Sequence, residues 1–164
     1  MDFRTRYDFL KTSIARYDGY YNLAAVKASL LLTSNAIFLA PSLGQKSDFL
    51  ALFGGGGAPR VLALVSAMLS LISIVYAALV IASHLGGAST RGYRSVFFTE
   101  SVAERPFDDY AQSVADASEA AILEDLMRLA HLLAGGVAQK FRYINISLVA
   151  LVAAIVSGFA ALML

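Results

Sequence analysis

The chain has no cysteine among its 164 residues, which removes disulfides, thiolate nucleophiles and cysteine-ligated metals together. Charge is scarce too: Asp, Glu, Lys and Arg make up 15% of the residues, where an ordinary soluble domain carries about 25%. The 13 basic and 12 acidic residues nearly cancel, to a formal charge of +1, so no global field points to DNA or RNA. His84 and His131 stand far apart, without the paired spacing of a zinc-binding helix. No serine sits in a nucleophile elbow, and the acidic pairs Asp108-Asp109 and Glu124-Asp125 look like solvated helix faces. The expectation is a protein with no catalytic residues, no metal and no cofactor. The first residues are polar, aromatic and mixed in charge, not a basic stub before an apolar core, so no cleaved signal peptide is expected.

What the chain does have is apolar sequence, at 58% of residues. Residues 144–164 contain no charged side chain and make a helix roughly 31 Å long at about 1.5 Å per residue, which matches a hydrocarbon core of about 30 Å. Residues 61–85 form a second such run, with Ala63, Ser66, Ala67, Ser70, Ser73, Ala77 and Ala78 offering small surfaces to neighbouring helices. Residues 23–40 form a third, less apolar run that carries Lys27, Ser29, Thr33, Ser34 and Asn35 and stops at Pro41; a lysine near the boundary snorkels its amine to the surface. A single buried core helix of a soluble protein explains one of these runs but not three.

Ahead of the first span, residues 1–22 alternate charges with Phe3, Tyr7, Phe9, Leu10, Ile14, Tyr17, Tyr20 and Tyr21, the pattern of an amphipathic helix with tyrosines at headgroup depth. Residues 41–60 form a connection with Gly54 to Gly57 in a row and then Pro59. No Gly-Lys-Ser/Thr follows, so a flexible hairpin turn is expected there and not a phosphate cradle. Residues 86–143 are polar, break at Arg105-Pro106, and predict helices over 107–117 and 118–139, with Ser118 or Asp116 as the cap. The fold class expected is an all-α membrane protein of three transmembrane helices with a small helical cytoplasmic domain. Its last helix continues into the terminal span unless Gly135-Gly136 kinks it. Arg4, Arg6, Lys11, Arg16, Lys27, Arg91, Arg94, Lys140 and Arg142 cluster at the span ends away from the Gly-rich turn, which predicts both polar regions, and so the amino end, on the cytoplasmic side.

Glu124, Arg128 and His131 share a face of the 118–139 helix at i, i+4 and i+7. Two readings stand: anion recognition, with a guanidinium fork and an imidazole donor on a phosphate, or intrahelical pairing with a histidine at a helix interface. Leu126, Leu129, Leu133 and Val137 line another side that packs on a preceding helix or a second copy. In the spans, Asn35 is an amide expected to find an interhelical partner, and Ala153, Ser157, Gly158 and Ala161 are expected to pack against another helix.

The segment Tyr21-Asn-Leu-Ala-Ala-Val-Lys-Ala-Ser-Leu-Leu-Leu-Thr-Ser-Asn35, the second apolar helix, Phe97-Phe98, and Leu126-Met-Arg-Leu-Ala-His131 followed by Lys140 before a terminal span resemble the transmembrane effector family of bacterial Pycsar antiphage defence. The resemblance covers residues 20–164, and its most characteristic part is Lys27-Ala28 with Asn35 two turns later. Ala25 stands where an aspartate often precedes that lysine. The resemblance implies a non-enzymatic effector of the bacterial inner membrane. It would respond to cyclic CMP or cyclic UMP from a partner cyclase, assemble with itself, and compromise the membrane so that the infected cell dies. Charge and position nominate Arg128, His131, Lys140, Arg94 and Lys27 as nucleotide contacts. The competing expectation is a membrane scaffold whose cytoplasmic helices bind a protein partner.

Overall fold

The computed structural model of the chain describes residues 2–44, 57–82, 95–97 and 99–163. Five helices carry them: α1 (Phe3–Gly44), α2 (Ala58–Ala82), α3 (Thr99–Ala103), α4 (Phe107–Ala115) and α5 (Glu119–Met163), with no strand among the described residues. The protein is all-α, and α1, α2 and α5 are each long and apolar enough to cross a membrane.

Two boundaries differ from the sequence expectation. The amphipathic segment and the first span are one helix, broken neither at Gly19 nor at Pro41. At Gly19 the reason lies in the accessibility pattern: Phe3, Tyr7, Leu10, Ile14, Tyr17 and Tyr21 are half-buried, and Ala24, Ala28, Leu31 and Asn35 are buried. These positions step by four and three in one unbroken phase. Gly19 lies off that stripe in open space, and one glycine costs a helix only about 1 kcal/mol. At the start of α1, Asp2 Oδ1 accepts the Thr5 N–H at 3.2 Å, and hydrogen bonds from Thr5 hold its carboxyl below the usual carboxylate range.

The second difference is that α2 begins at Ala58 and contains Pro59 in its first turn, where a missing N–H deprives the helix of no bond. Gly57 precedes it at φ +90°, a left-handed conformation that favours glycine. Gly54 to Gly56 and the exit of the second span at residues 83–85 lie outside the described residues. In the polar region, α4 ends at Ala115 with Asp116 as its C-cap, rather than at Ala117. Ser118 is the cap of α5, its Oγ accepting the Ala121 N–H at 3.2 Å. The short helix α3 had no counterpart in the expectation. The Gly135-Gly136 pair does not interrupt α5, which is continuous to Met163.

The chain divides into two units: residues 1–22 with 84–139, and residues 23–83 with 140–164. The second holds the apolar lengths of α1, α2 and α5. Its core is Ala24, Ala28, Leu31, Ala77, Val80, Ile144 and Leu151. On α2 the buried residues are Ala63, Ser66, Ser70, Ser73, Ala77 and Val80. On α5 Lys140, Ile144, Ser147, Leu151, Ala154 and Ala161 are buried. The α2 set repeats every three or four residues, a mean of about 3.5, which is the spacing of left-handed coils, and Lys140 to Ala154 on α5 keep the same step, with Ala150 buried beside Leu151. The outer faces are large and apolar: Leu64, Met68, Leu71, Val75 and Leu79 on α2 and Val149, Val152, Val156 and Phe159 on α5 are exposed. A soluble bundle reverses this arrangement. In lipid, where tails already solvate the apolar surface, helices associate through small residues and hydrogen bonds.

Candidate functional site

The interior of the membrane unit is a polar seam that ties three helices together. Asn35 on α1 donates from Nδ2 to its own Leu31 carbonyl at 2.9 Å and to Ser73 Oγ on α2 at 2.9 Å. Ser73 Oγ lies 3.0 Å from Ser147 Oγ on α5, and the Ser147 hydroxyl donates to the Ser73 carbonyl at 2.8 Å. Two turns away, the Ser66 hydroxyl donates to the Ala154 carbonyl at 2.8 Å. Ser70 sits on the same stripe, fully buried. Helix geometry makes the seam: Ser66, Ser70 and Ser73 lie three and four residues apart, so their hydroxyls share one face.

Both ends of this seam are closed by larger groups. At one end Gly158 of α5 lies against Phe38 of α1 and Ser66 of α2. A Cβ there would stand 3.0 Å from the Phe38 ring and 3.1 Å from Ser66 Oγ. At the other, Lys140 is buried and its ammonium donates to the Val80 carbonyl. Lys140 thus ties α5 to a backbone carbonyl of α2. Beside it, Lys27 is exposed with its amine 5.2 Å from the centre of the Phe141 ring, and Tyr76 and Tyr143 rings meet at 5.7 Å.

The polar unit has its own organising residue, and it is one that the sequence disguises. Of the pair Glu124-Asp125, expected as a solvated face, Asp125 is buried. Its Oδ2 accepts the Ser95 hydroxyl at 2.9 Å and the Val96 N–H at 2.7 Å. Ser95 Oγ in turn accepts the Phe97 N–H at 3.1 Å, and Arg105 donates through Nη2 to the Ser95 carbonyl and to Ser101 Oγ. One carboxylate thus pins the segment 95–97 to α5. The signal missed is small: a helix stripe that places 125 and 126 inward turns 124 and 128 outward.

Arg128 and His131 are exposed on α5. Arg128 forms a two-point ion pair with Glu124, with Nη2 at 2.6 Å and Nε at 3.2 Å from Glu124 Oε1. Leu126 and Leu133, named for the other side, are buried. Lys27 and Lys140 belong to the membrane unit and Arg128 and His131 to the polar unit; Arg94 lies outside the described residues. Of the packing candidates, Asn35 and Ala161 are buried, Gly158 touches two other helices, and Ala153 and Ser157 are half-buried. The Ser157 hydroxyl bonds back to its own helix at Ala153 and Ala154. Ala153 and Ser157 border an open apolar groove of about 640 Å³ with Leu62, Val149, Val152 and Val156.

A family model described as the Pycsar effector protein domain matches residues 9–164. The chain belongs to that family. The match begins inside the amphipathic part of α1 and runs through both units to the end, so the Pycsar effector domain comprises the seam, the Lys140–Val80 bond and the Asp125 anchor alike. Membership makes the chain an antiphage defence effector, and the Pycsar domain together with three apolar helices makes it a membrane protein. No curated protein and no solved structure matches the chain.

Proposed function

We propose that this effector responds to a cyclic pyrimidine mononucleotide, cyclic CMP or cyclic UMP, supplied by a partner cyclase, and then impairs the bacterial inner membrane so that the infected cell dies before phage matures. The observation that carries this reading is the family match over residues 9–164. The effector makes and breaks no bond, needs no cofactor, acts as an assembly of its own copies, and keeps its amino end and residues 86–143 in the cytoplasm.

The energetics favour a ligand-operated membrane unit. An interhelical hydrogen bond inside a membrane contributes about 0.6 kcal/mol on average, so the bonds from Ser66, Ser73, Asn35 and Ser147 together hold the packing by only a few kcal/mol. A ligand bound at about 1 μM carries about 8 kcal/mol, and the part of it that differs between two packings shifts their balance. Arg128 is suited to the first contact: its pairing with Glu124 is exposed and so contributes at most about 0.5 kcal/mol, and a phosphate takes over both guanidinium nitrogens with a charge-assisted bidentate bond. His131 adds a donor one turn on. The test is calorimetric titration of the full chain in nanodiscs with cyclic CMP, cyclic UMP and cyclic AMP. A pyrimidine nucleotide is expected to bind, with Arg128→Ala weakening it at least tenfold; absence of binding by both pyrimidine nucleotides overturns the reading.

A further inference from the structure

The membrane unit has its polarity inside and its apolar bulk outside, and two of its innermost oxygens are unsatisfied. Asn35 Oδ1 and Ser70 Oγ, on side chains with no exposed surface, have no hydrogen-bond partner among the described residues. Their neighbours Ser66 and Ser73 have theirs. Burying a hydroxyl or an amide carbonyl without a partner is unfavourable, and in the apolar interior water is the species that satisfies both a lone oxygen acceptor and a hydroxyl. Leucine or alanine at positions 35 and 70 would pack without that cost. The two orphaned groups therefore favour any arrangement of these helices that lets water in. On the same seam Gly158 packs so closely against Phe38 and Ser66 that a Cβ would stand 3.0 and 3.1 Å from them, where α1, α2 and α5 meet.

We propose that the seam of Asn35, Ser66, Ser70 and Ser73 is a latent hydration path, which admits water and small ions when the Gly158 contact loosens. Membrane damage is then a defined leak along hydroxyl-lined faces and not a general disordering of lipid. This rests on the membrane-impairing function proposed above, but it assigns the lining and the seal to named residues.

Because the chain has no cysteine, Ser70→Cys supplies a unique thiol for a charged, membrane-impermeant thiol reagent, and Val75→Cys on the exposed face of α2 is the control. The full chain in liposomes is compared with and without Gly158→Leu, a wedge that forces the three helices apart at the seal. The expected result is potassium efflux from the wedge variant without any nucleotide. Ser70→Cys should be labelled at least tenfold faster in the wedge background than alone, with Val75→Cys unchanged, and Ser66→Ala/Ser70→Ala/Asn35→Leu in that background should cut efflux at least tenfold. A wedge variant of unaltered helix content that does not leak, or one that leaks equally with the apolar seam and leaves the thiol of Ser70→Cys unlabelled, overturns the proposal. Failure of the nucleotide reading looks different: the wedge still leaks through the seam, and wild-type protein ignores every cyclic nucleotide.

Discussion

Asp125 and Glu124 are neighbours of the same chemistry with opposite fates, and the difference is one step of helix rotation. Glu124 meets Arg128 in water, an exposed pair of small consequence. Asp125 turns inward to accept two hydrogen bonds from segment 95–97. Asp125→Ala leaves the Ser95 hydroxyl and Val96 N–H without their acceptor and is expected to cost about 2–3 kcal/mol, read as a lower melting temperature and faster exchange of the Val96 amide. Asp125→Asn, which keeps one acceptor oxygen, should recover much of the loss. Glu124→Ala should change stability by less than about 0.5 kcal/mol. In the membrane unit Ser73 is the corresponding node. Ser73→Ala strips Asn35 Nδ2 and Ser147 of a shared partner and is expected to cost about 1–2 kcal/mol in a detergent or bilayer unfolding titration, more than Ser66→Ala with its single bond.

At the scale of the helix, continuity is the main finding, and phase explains it. The inward positions of α5 run Leu126, Ala130, Leu133, Val137, Lys140, Ile144, Ser147, Leu151, Ala154, Gly158 and Ala161, each half-buried or buried, without a skipped step at Gly135-Gly136. Gly135 is exposed, and a Cβ there meets nothing within 4 Å. Gly135→Ala should therefore stabilise the helix by about 0.5–1 kcal/mol, visible as a raised melting temperature by circular dichroism. A drop would show that a kink at this point is populated. The three spans and the all-α class were legible in the sequence because apolar runs of span length have few other readings. The Ser118 cap was legible because a serine before an acidic first turn has a known local use. The continuity of α1 was not, since Gly19 and Pro41 are strong local signals, and at Gly19 only the four-three stripe from Phe3 to Asn35 outweighs the glycine. The polar seam was half legible: Ser66, Ser70 and Ser73 stood out as small, but their hydroxyls could be aimed only once Asn35 and Ser147 were known to face them.

For the whole molecule, the division of labour follows composition. Residues 1–22 and 84–139 hold 19 of the 25 charged residues, and residues 23–83 and 140–164 hold the spans. Two helices, α1 and α5, belong to both units. The membrane unit is held by a handful of weak internal bonds, and under the proposed function binding of modest differential affinity would be enough to change its state. The measurement that tests this most directly is efflux from liposomes containing the wild-type protein on addition of cyclic CMP, cyclic UMP or cyclic AMP. Efflux is expected with at least one pyrimidine nucleotide, not with cyclic AMP, and not with Arg128→Ala at the same concentration. Liposomes that stay sealed with both pyrimidine nucleotides, or leak equally with all three and with none, would contradict the account.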